Sequence, residues 1–345
     1  MLIVDAHHLK TSHRQKGTPW VSWFVGAALL AGVVAVALHI SEERQFIRLA
    51  RQIQPLWLAL ALSLQAATYL AQAMIWRSLA GLTNVTLGFF RLYELSIAKL
   101  FVDQALPSGG ISGTLFEARA HERRGMPRAA VKAGIIVNTF SFYAAFVVAL
   151  TAALAILWLR GQSNAVVWTL AIPFIAFGAC IAILLPLFAG RRPALPSRGF
   201  GRFKIVRTAF ATLSEADPSL VRNPKLEIKA VALQLGTMLL DAATIWILLL
   251  SIGTHLSFDR TFASFMVASL IRTAGFIPGG LGTFEATLVL LLAANGASVP
   301  SALSVTLAFR GFSFWLPMAP GFLLSRRAIP ANANVDELAK RRATT

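Results

Sequence analysis

Residues 107–118 read PSGGISGTLFEA, and residues 278–286 read PGGLGTFEA. Both strings follow the order P-G-G-(I/L)-G-T-F-E-A; the second copy only lacks three residues of the first. The likeness continues downstream. NTFSFY (138–143) parallels RGFSFW (310–315), and each follows a Gly and a Pro, Gly125/Pro127 and Gly296/Pro300. A motif repeated together with its downstream context, in the same order, reads as an internal duplication. The flanking pieces are 89–106 and 112–124 for the first string, and 262–277 and 284–295 for the second. Each is about half a membrane span long, a length that suggests re-entrant elements more than crossings.

The solvent follows from composition. Of 345 residues, 56% are hydrophobic and only 14% charged, with a mean hydropathy of +0.66. An average soluble domain has about 45–50% apolar and about 25% charged residues. The apolar residues also fall in unbroken runs. PWVSWFVGAALLAGVVAVALHI (19–40) is long enough to cross a hydrocarbon core of about 20 helical residues, too long for a signal-peptide apolar region, and without a convincing cleavage site. Further spans are expected at 55–76, 131–159, 165–188, 230–251 and 299–324. With the two re-entrant hairpins, the expected fold is an all-α polytopic membrane protein of about six spanning helices.

The net charge of +17 would suggest nucleic acid in a soluble chain. Here the basic residues gather between apolar runs, at 7–16, 119–132, 191–229 and 326–342, as the positive-inside rule expects of cytoplasmic loops. Nucleic-acid binding is therefore not expected. Both termini are placed in the cytoplasm of a plasma (inner) membrane. The weakest point is the connector SEERQFIRLARQIQ (41–54), whose Arg44, Arg48 and Arg51 would lie outside; Glu42, Glu43 and an interfacial helix soften the objection. The stretch 190–229 is the main basic loop, with a surface helix around 202–216. The lone Cys180 lies within an apolar run and reads as a packing residue.

With this charge pattern the first hairpin enters from the cytoplasm and the second from outside, so the repeats are expected to be inverted. Inverted repeats with broken helices are a common way to build a transport site near the bilayer midplane. The tip of a broken helix frees backbone groups that are tolerable only against protein or a wet cavity. Glycines allow the necessary turns, and the following helix offers N–H groups to an anion. Gly109, Gly110 and Gly113 in the first copy, and Gly279, Gly280 and Gly282 in the second, are therefore candidate substrate-binding residues. The plainer reading is that Gly-Gly only packs helices tightly.

Ionisable residues within lipid cost a few kcal/mol each and are functional candidates by default. Here they are Lys99, Asp103, Glu117, Asp241, Arg272, Glu285 and Arg310. Lys99 and Asp103 share a helix face and read equally as a neutralising pair. Arg272 and Arg310, beside a helix N-terminus, suit a phosphate, which guanidinium binds through paired hydrogen bonds. Glu285 and Asp241 either hold those arginines or contact a cationic part of a headgroup. The alternative is a buried ion-pair network that only fixes the hairpins. Asn138 stands where the second copy has Arg310, so the second half carries more of the cationic equipment.

At these residues the sequence resembles the transmembrane region of lysylphosphatidylglycerol synthases, or flippase-like membrane proteins. The resemblance rests on IPGGLGTFEATLVLLLAANG (277–296), VPSALSVTLAFRGFSFWLP (299–317) and LPSGGISGTLFEARAHERRG (106–125), and extends over roughly 20–327. It implies a bundle that moves lipids between leaflets, a membrane lipid as substrate, and no cofactor. The attached synthase domain of the best-known relatives is absent from this sequence, so a separate lipid-modifying synthase is an expected partner. Relatives carry an Asp and an Arg after the first glycine turn where this chain has Thr114 and Glu117, and Asn138 replaces a later charged residue. The lipid's identity therefore does not carry over. The implied organisation is a basic tail (1–18), a flippase-like domain (19–327, repeat cores 89–159 and 262–324) and a second tail (328–345).

Rival readings are weaker. GISG (110–113) matches the G-x-S-G string of rhomboid proteases, but their serine needs a histidine on another span, and only His39, at a span edge, qualifies. His121 and His255 sit in loops. No clustered His, Asp or Glu suits a metal, so no enzyme is expected. A non-transporting partner that recruits a lipid- or envelope-synthesis enzyme through its basic loops remains an alternative. No Walker loop is present, so transport is expected to be downhill or coupled to protons through Asp103, Asp241 or Glu285.

Overall fold

The computed structural model describes residues 55–106, 110–162, 165–191, 204–274 and 280–328. All regular structure among these is helical. The expected first span (19–40), the connector 41–54 and the tails 1–18 and 329–345 lie outside the described residues.

Chain order gives α1 (Pro55–Leu82), α2 (Phe89–Ala105), α3 (Ile111–Glu122), α4 (Arg128–Leu159), α5 (Ala165–Phe188), α6 (Lys204–Glu215) and α7 (Pro218–Val221). These are followed by α8 (Pro224–Ser251), α9 (Phe258–Ala274), α10 (Thr283–Ala294), α11 (Val299–Arg310), a π-helical turn (Gly311–Trp315) and α12 (Leu316–Ala328). Five stretches are long and apolar enough to cross a membrane: α1, α4, α5, α8 and the continuous run Val299–Ala328. They match the expected spans from 55–76 onward. The surface helix expected around 202–216 is α6.

The helices form two matched sets. α1 and α8 have 28 residues each, α2 and α9 17 each, and α3 and α10 12 each. Pro opens both long helices, at Pro55 and Pro224, where its missing N–H costs no helical bond. Phe89 and Phe258 open both entering arms. The matching of helix lengths continues upstream of the expected cores 89–159 and 262–324, to the long helix before each hairpin. α5, α6 and α7 fall between the halves.

Packing exchanges elements between the halves. α1 lies along α8; α2 packs on α12, and α9 packs on α4. The entering arm of each hairpin is thereby covered by the last span of the other half. One apolar core joins α4, α8, α9, α10 and α11 around Phe265, Phe284 and Phe309, whose ring centroids are 5.9–6.2 Å apart. A second gathers Trp76, Leu79, Val131, Val137 and Val221. There Gly134 lets α4 lie against Trp76, since a Cβ would come within 2.5 Å of the indole. α5 is buried only at Ala171 and Gly178 and turns most of its side chains outward.

One expectation changes. The last span, read as an unbroken helix over 299–324, is interrupted by the π turn. Pro317 cannot donate to the Ser313 carbonyl, and its ring presses on that carbonyl; widening the preceding turn relieves the clash.

Candidate functional site

In the second half, Gly280 (φ +64°) and Gly282 (φ +83°) take a backbone path that a side chain would strain, and Gly282 starts α10. A helix start leaves N–H groups without helical partners. Glu285 turns back, and its Oε2 accepts from the Gly282 N–H at 2.7 Å. Its Oε1 accepts from Nε of Arg310, in the last turn of α11. Both residues are buried, Glu285 to 1% exposure and Arg310 to 4%. The Arg310 guanidinium lies 5.0 Å from the ring centroids of Phe284 and Phe314.

Arg272, in the last turn of α9, also faces Phe284, 5.4 Å from its centroid. Gly280 permits this: a Cβ there would come within 2.2 Å of Arg272 Cγ. Unlike Arg310, Arg272 is only partly buried, and among the described residues it makes no hydrogen bond or salt bridge. Asp241, on the facing α8, attracts it electrostatically without touching it. Asp241 Oδ1 instead accepts from Gln65 Nε2 at 3.1 Å.

The first half places its charges differently. Gly110 (φ +85°) precedes α3. The three extra residues of this string start the helix earlier relative to its glutamate, so Glu117 falls in the second turn, beyond reach of the Gly113 N–H. Asp103 takes that role from α2, with Oδ1 accepting from Gly113 N at 3.0 Å and Oδ2 from Lys99 Nζ at 2.9 Å. A Cβ on Gly113 would lie 2.1 Å from Asp103 Oδ1, so only glycine admits the carboxylate. Glu117, 3% exposed, accepts from Gln72 Nε2 at 3.0 and 3.2 Å. Asn138 donates to its own helix at the Gly134 carbonyl.

Laid on the matched helices, these groups pair. Gln72 and Asp241 hold the same place in α1 and α8, and Asp103 and Arg272 the same place in α2 and α9. Glu117 corresponds to Glu285, and Asn138 to Arg310. In each half a carboxylate binds the N–H of the matched glycine, Gly113 or Gly282. Among the described residues, the second turn also has a guanidinium, that of Arg272, packed against its glycines with no acid in hydrogen-bonding contact.

The structure therefore brings together Arg272, Gly280, Gly282, Glu285, Arg310 and, opposite them, Asp241. It gathers Lys99, Asp103, Gly110, Gly113 and Glu117 at the other turn. Gly109 and Gly279 lie outside the described residues. Sequence reading missed Gln65, Gln72 and Tyr69 on α1. The available signal was polar residues spaced by seven along one face of an apolar span. Ser112 and His121 are at opposite ends of α3, about 13 Å apart along its axis, and His121 stacks on Trp76 at 3.9 Å; no serine–histidine pair forms there.

The sequence matches the family described as lysylphosphatidylglycerol synthase TM region over residues 23–321. It is 23% identical to a UPF0104 membrane protein of Pyrococcus horikoshii over 85% of this chain and 93% of that protein. It is 31% identical to an uncharacterised protein of Synechocystis sp. over 30% of this chain, and spans only 32% of that protein. A UPF0104 membrane protein of Methanothermobacter thermautotrophicus is 28% identical over 27% of this chain and 28% of its own length.

Proposed function

The chain belongs to the lysylphosphatidylglycerol synthase transmembrane-region family, and from that premise we propose that it is a lipid translocase. In this reading it moves an anionic or amino-modified phospholipid, or a related amphiphile, between leaflets of the inner membrane. The observation that carries the reading is Arg272, a partly buried guanidinium beside the α10 N-terminus that, among the described residues, no acid bonds.

Each part follows from chemistry. A phosphodiester is most costly to carry through hydrocarbon at the midplane, and a fixed guanidinium repays part of that cost through paired hydrogen bonds. Arg310 is already neutralised by Glu285, so its role is to hold the turn, leaving Arg272 to meet the ligand. Asp241, held by Gln65, faces the same space and suits an amine in a zwitterionic headgroup. Translocation needs no covalent step, so the reading is non-enzymatic, with any lipid-modifying synthase a separate partner. Transport is downhill or linked to protons.

Native mass spectrometry of the purified protein tests this. Wild type retains an anionic lipid above its abundance in the bulk membrane, and Arg272→Ala, still folded, loses that enrichment. Identical lipid mixtures on both forms defeat the proposal and favour a protein that recruits a lipid-synthesis enzyme through its basic loops.

A further inference from the structure

A groove of about 120 Å³ opens where α1, α2 and the last span meet. Its walls are Leu62 and Ala66 of α1, Ile97 of α2, Phe312 of the π turn, and Leu316 and Pro320 of α12. Its mouth is on the lipid-facing surface, where Leu62 is 43% and Leu316 48% exposed. The lining is apolar except at Gln65 and Tyr69. Gln65 is 4% exposed, and both its Nε2 hydrogens are used, on Thr68 and Asp241. Among the described residues its Oε1 makes no hydrogen bond, and neither does the Tyr69 hydroxyl, which lies close to the Gln65 amide. A buried acceptor and a buried hydroxyl left unpaired each cost about 1–3 kcal/mol.

We propose that this groove is a lateral lipid-binding site, seating part of one acyl chain of a membrane glycerophospholipid with the polar end of that chain at Gln65 and Tyr69. The chemistry selects this occupant. An acyl chain fits apolar walls in a protein whose solvent is lipid, and the polar part of the lining is confined to Gln65 and Tyr69. A glycerophospholipid also offers what the two orphans need: a hydroxyl or amine donor for Gln65 Oε1, and an ester or phosphate oxygen for Tyr69. The proposal rests on the lipid-translocase reading and deepens it by placing a tail site beside the headgroup site.

The groove connects physically to that site at two points. Gln65 binds both the groove and Asp241, which faces Arg272. The π turn follows Arg310 directly; Phe314 packs on the Arg310 guanidinium while Phe312 lines the groove. A shift in the π turn would therefore move the groove wall and the Arg310–Glu285 pair together.

Photo-crosslinking tests the proposal. The full chain is reconstituted in phosphatidylglycerol vesicles in which a fraction of the lipid carries a diazirine in one acyl chain, then irradiated and mapped. Adducts are expected several-fold enriched on Leu62–Tyr69 and Leu316–Pro320 over Val166 and Ile172, which are exposed on α5. Tyr69→Phe lowers the groove yield about fivefold, the effect of one neutral hydrogen bond. Ala66→Trp fills the groove and abolishes the enrichment; if it does not fold, Phe312→Ala, which widens the groove, raises it instead. Equal labelling of α1, α12 and α5, or enrichment unchanged in these variants, overturns the proposal. Arg272→Ala keeps groove labelling in either case. Loss of groove labelling with Arg272-dependent lipid retention defeats the groove alone, whereas retained labelling with lipid indifferent to Arg272 defeats the headgroup reading alone.

Discussion

Glu285 and Arg310 form a buried ion pair, and such a pair is weak evidence for stability. Its significance lies in what happens when it is broken. Glu285→Gln leaves Arg310 charged at 4% exposure, and losing one partner of a buried pair costs about 3–5 kcal/mol. Replacing both, as Glu285→Leu with Arg310→Met, removes both charges and should cost less than either single change. Denaturant unfolding of wild type, Glu285→Leu, Arg310→Met and the double variant in mixed micelles measures this; independent, additive losses would mean that the two side chains are not coupled. Sequence had singled out both residues, and both sit at the second glycine turn. It left open whether Arg310 was a ligand group or a structural one, because its acid lies 25 residues away and on another helix. The sequence offered the pairing as one of two options; the glycine turn brings Glu285 and Arg310 into contact.

At the scale of elements, glycine decides how closely helices approach, and its effect differs by place. Gly321 lets α12 lie on α2: a Cβ there would come within 2.5 Å of Phe101 Cβ and 2.9 Å of the Ile97 carbonyl. Gly236, within α8, would meet nothing within 4 Å. Gly321→Ala should therefore destabilise by about 1–3 kcal/mol, the range for overpacking. Gly236→Ala should be neutral or stabilise by up to about 1 kcal/mol through helix propensity. Thermal unfolding of the two variants in one detergent checks the contrast, and equal shifts would refute the close α2–α12 contact. The spans themselves were legible, since length and hydropathy report them without tertiary information. The π turn was not, because Pro317 and Pro320 permit either a kinked helix or a widened turn, and the sequence alone does not select between them.

For the whole molecule, the duplicated string suggested two halves, and the matched helix lengths continue upstream of the cores drawn from it. Extending the register upstream would have set Gln72 against Asp241 and Asp103 against Arg272; hydropathy alone gave no reason to extend it, since α1 and α8 both read as ordinary spans. We propose that the halves are inverted across the bilayer. The charge distribution supports this: Arg119, Arg123, Arg124, Arg128 and Lys132 surround the junction of α3 and α4, whereas the matching junction, 295–300, carries no charge. Among the described residues three spans, α4, α5 and α8, separate the two junctions, and an odd number places them on opposite faces. The parity holds whether the hairpins re-enter or cross, because each hairpin contributes its two arms together. Single cysteines at Arg123 and Val299, both exposed, in a chain with Cys180 replaced, make the arrangement measurable. A membrane-impermeant maleimide should label Val299→Cys from outside intact cells and Arg123→Cys only after the membrane is opened. Labelling of both from the same side would make the repeats parallel. The two constellations would then no longer face opposite leaflets, and a midplane site shared between them would lose its geometric basis.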